Sequence, residues 1–211
     1  MKYSKDDGRS MVEMLGVLAI VGVISIGAVV GFNKTLYKYN LNKISEIVAN
    51  SLRNLIPAVK NDLTNYTTTT SSMAEKAVRI GLISDCTIAT SAIAGSSYQV
   101  CQTSLGEIYP RFFITKIGED DYYTYMLYVT FLKNKTHACE DFLLRRWDRA
   151  ISTKYRRGAK IWLTSNVFEK VVFSKSTSGF SPSDIANSCK AVCGSNASYC
   201  SIVFDLSGYA Y

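Results

Sequence analysis

The sequence has very little of what most enzymes need. Histidine occurs once, at His137. The 211 residues contain no G-x-S-x-G nucleophile turn, no P-loop, no G-x-G-x-x-G turn and no H-E-x-x-H zinc motif. These classes of hydrolytic, nucleotide-dependent and metalloprotease chemistry therefore have no candidate residues in the sequence. We expect a protein that is not an enzyme and that needs no cofactor.

A long segment near the N-terminus lacks charge. No Asp, Glu, Lys or Arg occurs between Glu13 and Lys34. The apolar run 14–32 contains 19 residues. As an α-helix such a run measures about 28 Å, close to the hydrocarbon core of a bilayer at about 30 Å. A carboxylate inside a membrane-spanning segment is costly, by a few kcal/mol if it lies at the bilayer centre, so we expect Glu13 near the head of this segment to be functional and to have a cationic partner. The alternative is an ordinary signal anchor in which Glu13 is incidental.

No cysteine precedes the apolar run. The six cysteines all follow it, and an even number is typical of an oxidising compartment outside the cytoplasmic membrane. They are Cys86, Cys101, Cys139, Cys189, Cys193 and Cys200. Six cysteines allow fifteen pairings, among which the sequence does not choose. Zinc is the competing interpretation, but no paired C-x-x-C spacing is present, so we expect no metal.

The N-terminal residues carry a resemblance to a known family. The stretch 8–15 reads Gly-Arg-Ser-Met-Val-Glu-Met-Leu. It resembles the N-terminus of type IV pilin precursors and pseudopilins, in which a polar leader ends in Gly and the fifth mature residue is Glu. The resemblance implies a leader 1–8 that is cut after Gly8, a new N-terminus at Arg9, and Glu13 and Gly22 at mature positions five and fourteen. Arg9 departs from the usual Phe or Met.

The resemblance also implies partners and a mechanism. A prepilin peptidase would cut the chain and methylate the amine of Arg9, and an assembly platform in the inner membrane would build a filament from identical or related subunits. Glu13 would pair with that amine on a neighbouring subunit. At 4 Å and an effective dielectric near 20 the attraction is about 4 kcal/mol before desolvation is subtracted. Gly27 and Gly31 form a GxxxG pair that permits close helix packing.

The same layout implies domains, location and disulfides. Residues 9–33 would form the transmembrane and filament-core helix, and 34–211 an extracytoplasmic domain. The chain would sit in the bacterial inner membrane as a single-pass protein, and after assembly in a periplasmic or cell-surface filament. We expect Cys86 to pair with Cys101 and Cys193 with Cys200. The remaining pair, Cys139 with Cys189, resembles the C-terminal disulfide loops of pilins.

Periodicity predicts an α+β fold. Apolar residues recur every three or four positions from Leu41 to Leu63, which predicts one buried helix face. Pro57 lies within this pattern and predicts a kink or a break near Ile56. Alternating aromatic and β-branched residues predict strands, one of them central. Expected helices are 73–83, 137–151 and 183–192, and expected strands are 106–118, 121–133, one or two within 160–174, and 198–206. Because most strands follow one another directly, we expect a mainly antiparallel sheet with the long helix packed on it.

Two sets of residues can be interpreted either as binding surfaces or as ordinary structural features. Seven basic residues crowd the span 145–160, namely Arg145, Arg146, Arg149, Lys154, Arg156, Arg157 and Lys160. They can attract DNA or an anionic surface, although subunit contact or simple solvation is the favoured interpretation. Near the C-terminus, Tyr199, Tyr209 and Tyr211 can contact a host surface, although sheet packing is favoured.

These observations lead to three functional hypotheses. The first is a structural subunit of a type IV pilus-like filament, for adhesion, motility or DNA uptake. The second is a pseudopilin of a type II secretion system, whose short periplasmic filament moves cargo. The third is a membrane-anchored binding protein that never polymerises.

Overall fold

The computed structural model describes residues 11–62, 73–84, 86–91, 93, 99–117, 120–132, 136–145, 147, 158–166, 169–174, 181–194 and 196–209. The chain divides after Tyr39 into two units.

The helix α1 spans Met11–Asp62 and is the longest element. By length and composition it can cross a membrane, and its apolar stretch is not buried within the chain. The helix continues past Pro57 to Asp62, so of the predicted kink or break near Ile56 the break does not occur. The residues as far as Tyr39 belong to the first unit, and the remainder of α1 belongs to the second.

The second unit combines helices with one sheet. The shorter helices within the described residues are α2 (Met73–Arg79), α3 (Thr136–Leu143) and α4 (Pro182–Val192). The strands are β1 (Thr87–Thr90), β2 (Gln99–Gln102), β3 (Gly106–Ile117), β4 (Asp120–Leu132), β5 (Gly158–Ser165), β6 (Glu169–Ser174) and β7 (Tyr199–Tyr209). The α+β class is confirmed.

The seven strands form one sheet in the order β1-β2-β3-β4-β7-β5-β6. Every neighbouring pair is antiparallel. The strand predicted to be central, β4, lies between β3 and β7, and β7 separates β4 from β5. β1 and β2 were not predicted, because four residues are too few for alternation to distinguish a strand from a loop.

The C-terminal part of α1 packs on this sheet through one apolar face. Leu41, Ile44, Val48 and Leu52 are 3% exposed or less, as the sequence predicted, and so is Ile47. Complete burial of such side chains stabilises a fold by about 1.5 to 3 kcal/mol each. This face therefore fixes the second unit's segment of α1 against the sheet.

One buried polar contact joins the same segment of α1 to the central strand. The hydroxyls of Ser51 and Tyr125 are 2.9 Å apart and both residues are buried. A buried hydroxyl without a partner would cost about 1 to 3 kcal/mol. Tyr125 therefore marks the face of the sheet that α1 covers.

Aromatic side chains fill the core between α3 and β7. The ring of Phe142 contacts those of Phe131, Trp147 and Phe204, with centroid distances of 4.9 to 6.1 Å. The indole N–H of Trp147 donates to the carbonyl oxygen of Phe142 at 2.7 Å. The cluster is therefore buried without leaving this donor unpaired.

The end of α2 depends on a glycine in a left-handed conformation. Gly81 has φ of 72°. The N–H of Gly81 donates to the carbonyl of Val78, and the N–H of Leu82 donates to that of Ala77. This pair of hydrogen bonds is the Schellman arrangement, which satisfies carbonyls that the helix would otherwise leave unpaired.

Candidate functional site

The first unit presents an apolar helix surface that its own chain does not cover. The large apolar side chains from Met11 to Phe32 are between 52% and 83% exposed. They face all directions around the helix, because the sequence from residue 14 to residue 32 is almost continuously apolar. A helix that is apolar on every side needs lipid or other protein around it. This surface is the candidate functional site.

Two side-chain hydroxyls of the first unit are hydrogen-bonded within the helix itself. The hydroxyl of Ser25 donates to the carbonyl of Val21 at 2.7 Å, and that of Thr35 donates to the carbonyl of Gly31 at 2.9 Å. In hydrocarbon every unsatisfied polar group is costly. The two hydroxyls can therefore enter an apolar environment with their donors already paired.

Glu13 is the one acidic residue in the first turn of α1. The N-terminus of a helix carries partial positive charge, which favours a carboxylate at this position. The adjacent side chains of Val12 and Met14 are exposed and apolar. Glu13 thus places a single acidic group at one end of an otherwise apolar surface.

Four glycines leave open space along the helix. These are Gly16, Gly22, Gly27 and Gly31, and beyond the helix's own backbone a methyl group added at any of them would meet no atom within 4 Å. The structure therefore places Gly22 and the GxxxG pair on accessible helix surface. Small residues at such positions permit a second helix to approach closely. The other two predicted residues, Gly8 and Arg9, lie outside the described residues.

The structure pairs the six cysteines as the sequence analysis expected. The disulfides are Cys86–Cys101, Cys139–Cys189 and Cys193–Cys200, with Cα–Cα distances of 5.3, 5.9 and 5.0 Å. All three lie in the second unit.

Two of these disulfides are neighbours in the core. The sulfur atoms of Cys139, Cys193 and Cys200 lie within 4.8 Å of one another. All three cysteines are buried and disulfide-bonded. A metal binds the thiolate form of cysteine, so these three sulfurs offer no thiolate ligands while the bridges are intact.

The basic span and the C-terminal tyrosines are only partly described. Arg145 is exposed and donates to the side-chain oxygen of Asn42 at 2.6 Å, and Lys160 is an exposed residue of β5. The other five basic residues of the span lie outside the described residues. Tyr199 is half-buried in β7, whereas Tyr211 lies outside the described residues.

No protein-family model matches the sequence, and neither the curated proteins nor the solved structures contain a match. Function therefore has to be inferred from the residues and their geometry.

Proposed function

We propose that the chain is a structural subunit of a type IV pilus-like filament. The observation that carries this proposal is the uncovered apolar part of α1 with Glu13 in its first turn. The segment is long enough to be held in a membrane as a monomer, and its surface suits packing against copies of itself. The antiparallel α+β unit with three disulfides supports the same proposal, because disulfides stabilise a folded domain that is exposed outside the cell.

In this proposal the chain begins as a single-pass protein of the bacterial inner membrane. Prepilin peptidase cuts after Gly8, and the amine created at Arg9 pairs with Glu13 of a neighbouring subunit. The pair sets the axial position of the incoming helix, while the open glycine positions permit close contact between helices. The filament then serves adhesion, motility or DNA uptake.

The decisive test compares two glutamates of α1. We expect Glu13→Ala to remove the chain from a sheared cell-surface fraction while leaving its amount in the membrane unchanged. Glu46→Ala is the matched control, because Glu46 is an exposed residue of the same helix beyond the apolar segment. It should leave both amounts unchanged. Normal assembly of the Glu13→Ala variant would refute the proposal.

An intact mass of the surface-recovered chain tests processing separately. We expect a chain that starts at Arg9, carries one extra methyl group and contains three disulfides. A mature chain found only in the membrane fraction would favour a pseudopilin of a type II secretion system. A chain that retains residues 1–8 would rule out pilin-type processing.

A further inference from the structure

The sheet carries a cavity on the face opposite to α1. Tyr125 of β4 contacts α1, and side chains alternate along a strand, so Tyr128 and Thr130 of the same strand lie on the opposite face. Both line a cavity of about 220 Å³ within the second unit. Cavities that hold drug-sized ligands are about 300 Å³ or larger, so this one suits a single ring with its substituents.

Two aromatic residues of the cavity lining, Tyr128 and Trp162, stand on either side of β7. Val203 of β7 pairs in register with Tyr128 of β4 on one side and with Trp162 of β5 on the other. Val203 is fully buried, whereas Trp162 is half-buried. Two strand spacings separate the aromatic residues by about 9.6 Å at the backbone.

At Tyr128 the cavity is bordered by two stacked aromatic rings. The rings of Tyr109 and Tyr128 stack with centroids 4.5 Å apart and planes inclined by 6°. The guanidinium of Arg111 lies 5.5 Å from the centre of the Tyr128 ring. Burial, followed by the effect of Tyr128, raises the pKa of the Tyr109 phenol above its usual value. Tyr109 therefore stays neutral and can both donate and accept a hydrogen bond.

Hydroxyl and carboxylate groups line the floor and the inner end of the cavity. The hydroxyls of Thr130 and Ser201 are 2.7 Å apart, and both residues are 2% exposed. The hydroxyl of Ser91 donates to Glu107 Oε2 at 2.7 Å, and Glu107 is 4% exposed. These groups place several donors and acceptors beside the aromatic residues of the lining.

One donor of a lining residue has no partner. Nε1 of Trp162 is buried and, among the described residues, makes no hydrogen bond. An unpaired buried donor costs about 1 to 3 kcal/mol, which an acceptor oxygen on a ligand would recover.

We propose that this cavity binds one neutral pyranose ring of a glycan. Aromatic side chains suit the C–H faces of a sugar, and the hydroxyls and the Glu107 carboxylate suit its O–H groups. The lining holds two carboxylates, Glu107 and Glu169, and one guanidinium, Arg111. Glu169 is exposed to water, so the part of the lining away from solvent, with Glu107 and Arg111, offers no excess of either sign for a charged ligand. This inference does not depend on filament assembly.

The test uses the purified full chain in lauryldimethylamine oxide, a detergent without a sugar headgroup. The probes are the methyl glycosides of glucose, galactose, mannose and N-acetylglucosamine, measured by saturation-transfer NMR. A single ring in a half-open cavity is expected to bind with a Kd of about 1 mM. We expect at least one probe to receive saturation from the protein.

Three variants locate the binding. Trp162→Phe keeps an aromatic ring but removes the N–H, and should weaken binding about tenfold, as expected for the loss of one hydrogen bond. Glu169→Gln, at the exposed edge of the cavity, should weaken binding less. Lys170→Ala is the control, because Lys170 is an exposed neighbour of Glu169 that does not line the cavity. Circular dichroism checks that each variant is folded.

Several outcomes would overturn the inference. One is the absence of saturation transfer to all four glycosides. Another is equal transfer to the wild-type chain and to a folded Trp162→Phe variant. Binding of tetramethylammonium, with no binding of the glycosides, would assign the cavity to a cation instead.

Discussion

Removing both cysteines of one disulfide at a time should rank the three bridges by the length of chain that each closes. The sequence separations are 50 for Cys139–Cys189, 15 for Cys86–Cys101 and 7 for Cys193–Cys200. In the chain-entropy description, a bridge stabilises a fold by limiting the unfolded chain, and longer loops are limited more. The expected losses are about 4, 3 and 2.4 kcal/mol, respectively.

The assay is urea unfolding of the full chain in detergent, followed by tryptophan fluorescence, with the cysteine pairs replaced by alanine. Both cysteines must be replaced together. A single replacement at Cys193 or Cys200 would leave a thiol within 4.8 Å of the Cys139 sulfur, where thiol–disulfide exchange can rearrange the bridges.

The three double variants should lose similar amounts of buried side-chain contact, because five of the six cysteines are at most 3% exposed and Cys86 is half-buried. The order of the losses therefore reports mainly on loop length. The reasoning is refuted if loss of Cys193–Cys200 destabilises the fold as much as loss of Cys139–Cys189, with equal dependence of unfolding on urea concentration.

Three further predictions concern single residues of the second unit. Gly106→Ala should lower the free energy of unfolding by about 3 kcal/mol or more, because the added methyl would overlap the carbonyl of Thr130; urea unfolding that matches wild type would contradict this. Gly81→Ala should lower the melting temperature and Gly81→Asn should lower it less, since Asn tolerates positive φ better. Burial raises the pKa of Asp205 although Lys160 opposes the shift, so the ionised form disfavours folding. Asp205→Asn should therefore raise the melting temperature at pH 7, with the difference disappearing below the ordinary pKa of Asp; an equal difference at both pH values would contradict this.

The sequence predicted the features that depend on local pattern. The apolar run and Glu13 stand out without any structure, because membrane-length segments have a distinct composition. The buried face of α1 from Leu41 to Leu52 followed from its helical spacing. The strand β4 followed from alternating aromatic and β-branched residues, and its position in the middle of the sheet is confirmed.

Pattern could not predict which strands become neighbours. Alternation assigns a residue to a face of a sheet, but it does not give the order of the strands. β7 inserts between β4 and β5, and this brings Ser201 next to Thr130 across 71 residues of sequence. The same insertion places Tyr128 and Trp162 on either side of Val203. The sequence therefore did not predict the cavity. The only indication of it was the mixture of polar and aromatic residues in these strands.

The three disulfides also set how far the chain can be extended by force. Their loops do not overlap, and together they span 72 residues of sequence separation. At about 3.4 Å per residue, and with 5.0 to 5.9 Å still spanned across each bridge, an oxidised chain pulled by its two ends would stop about 230 Å short of the length reached by the reduced chain. The bridges thus act as mechanical stops, so a load can lengthen only the segments outside the loops until a sulfur–sulfur bond breaks.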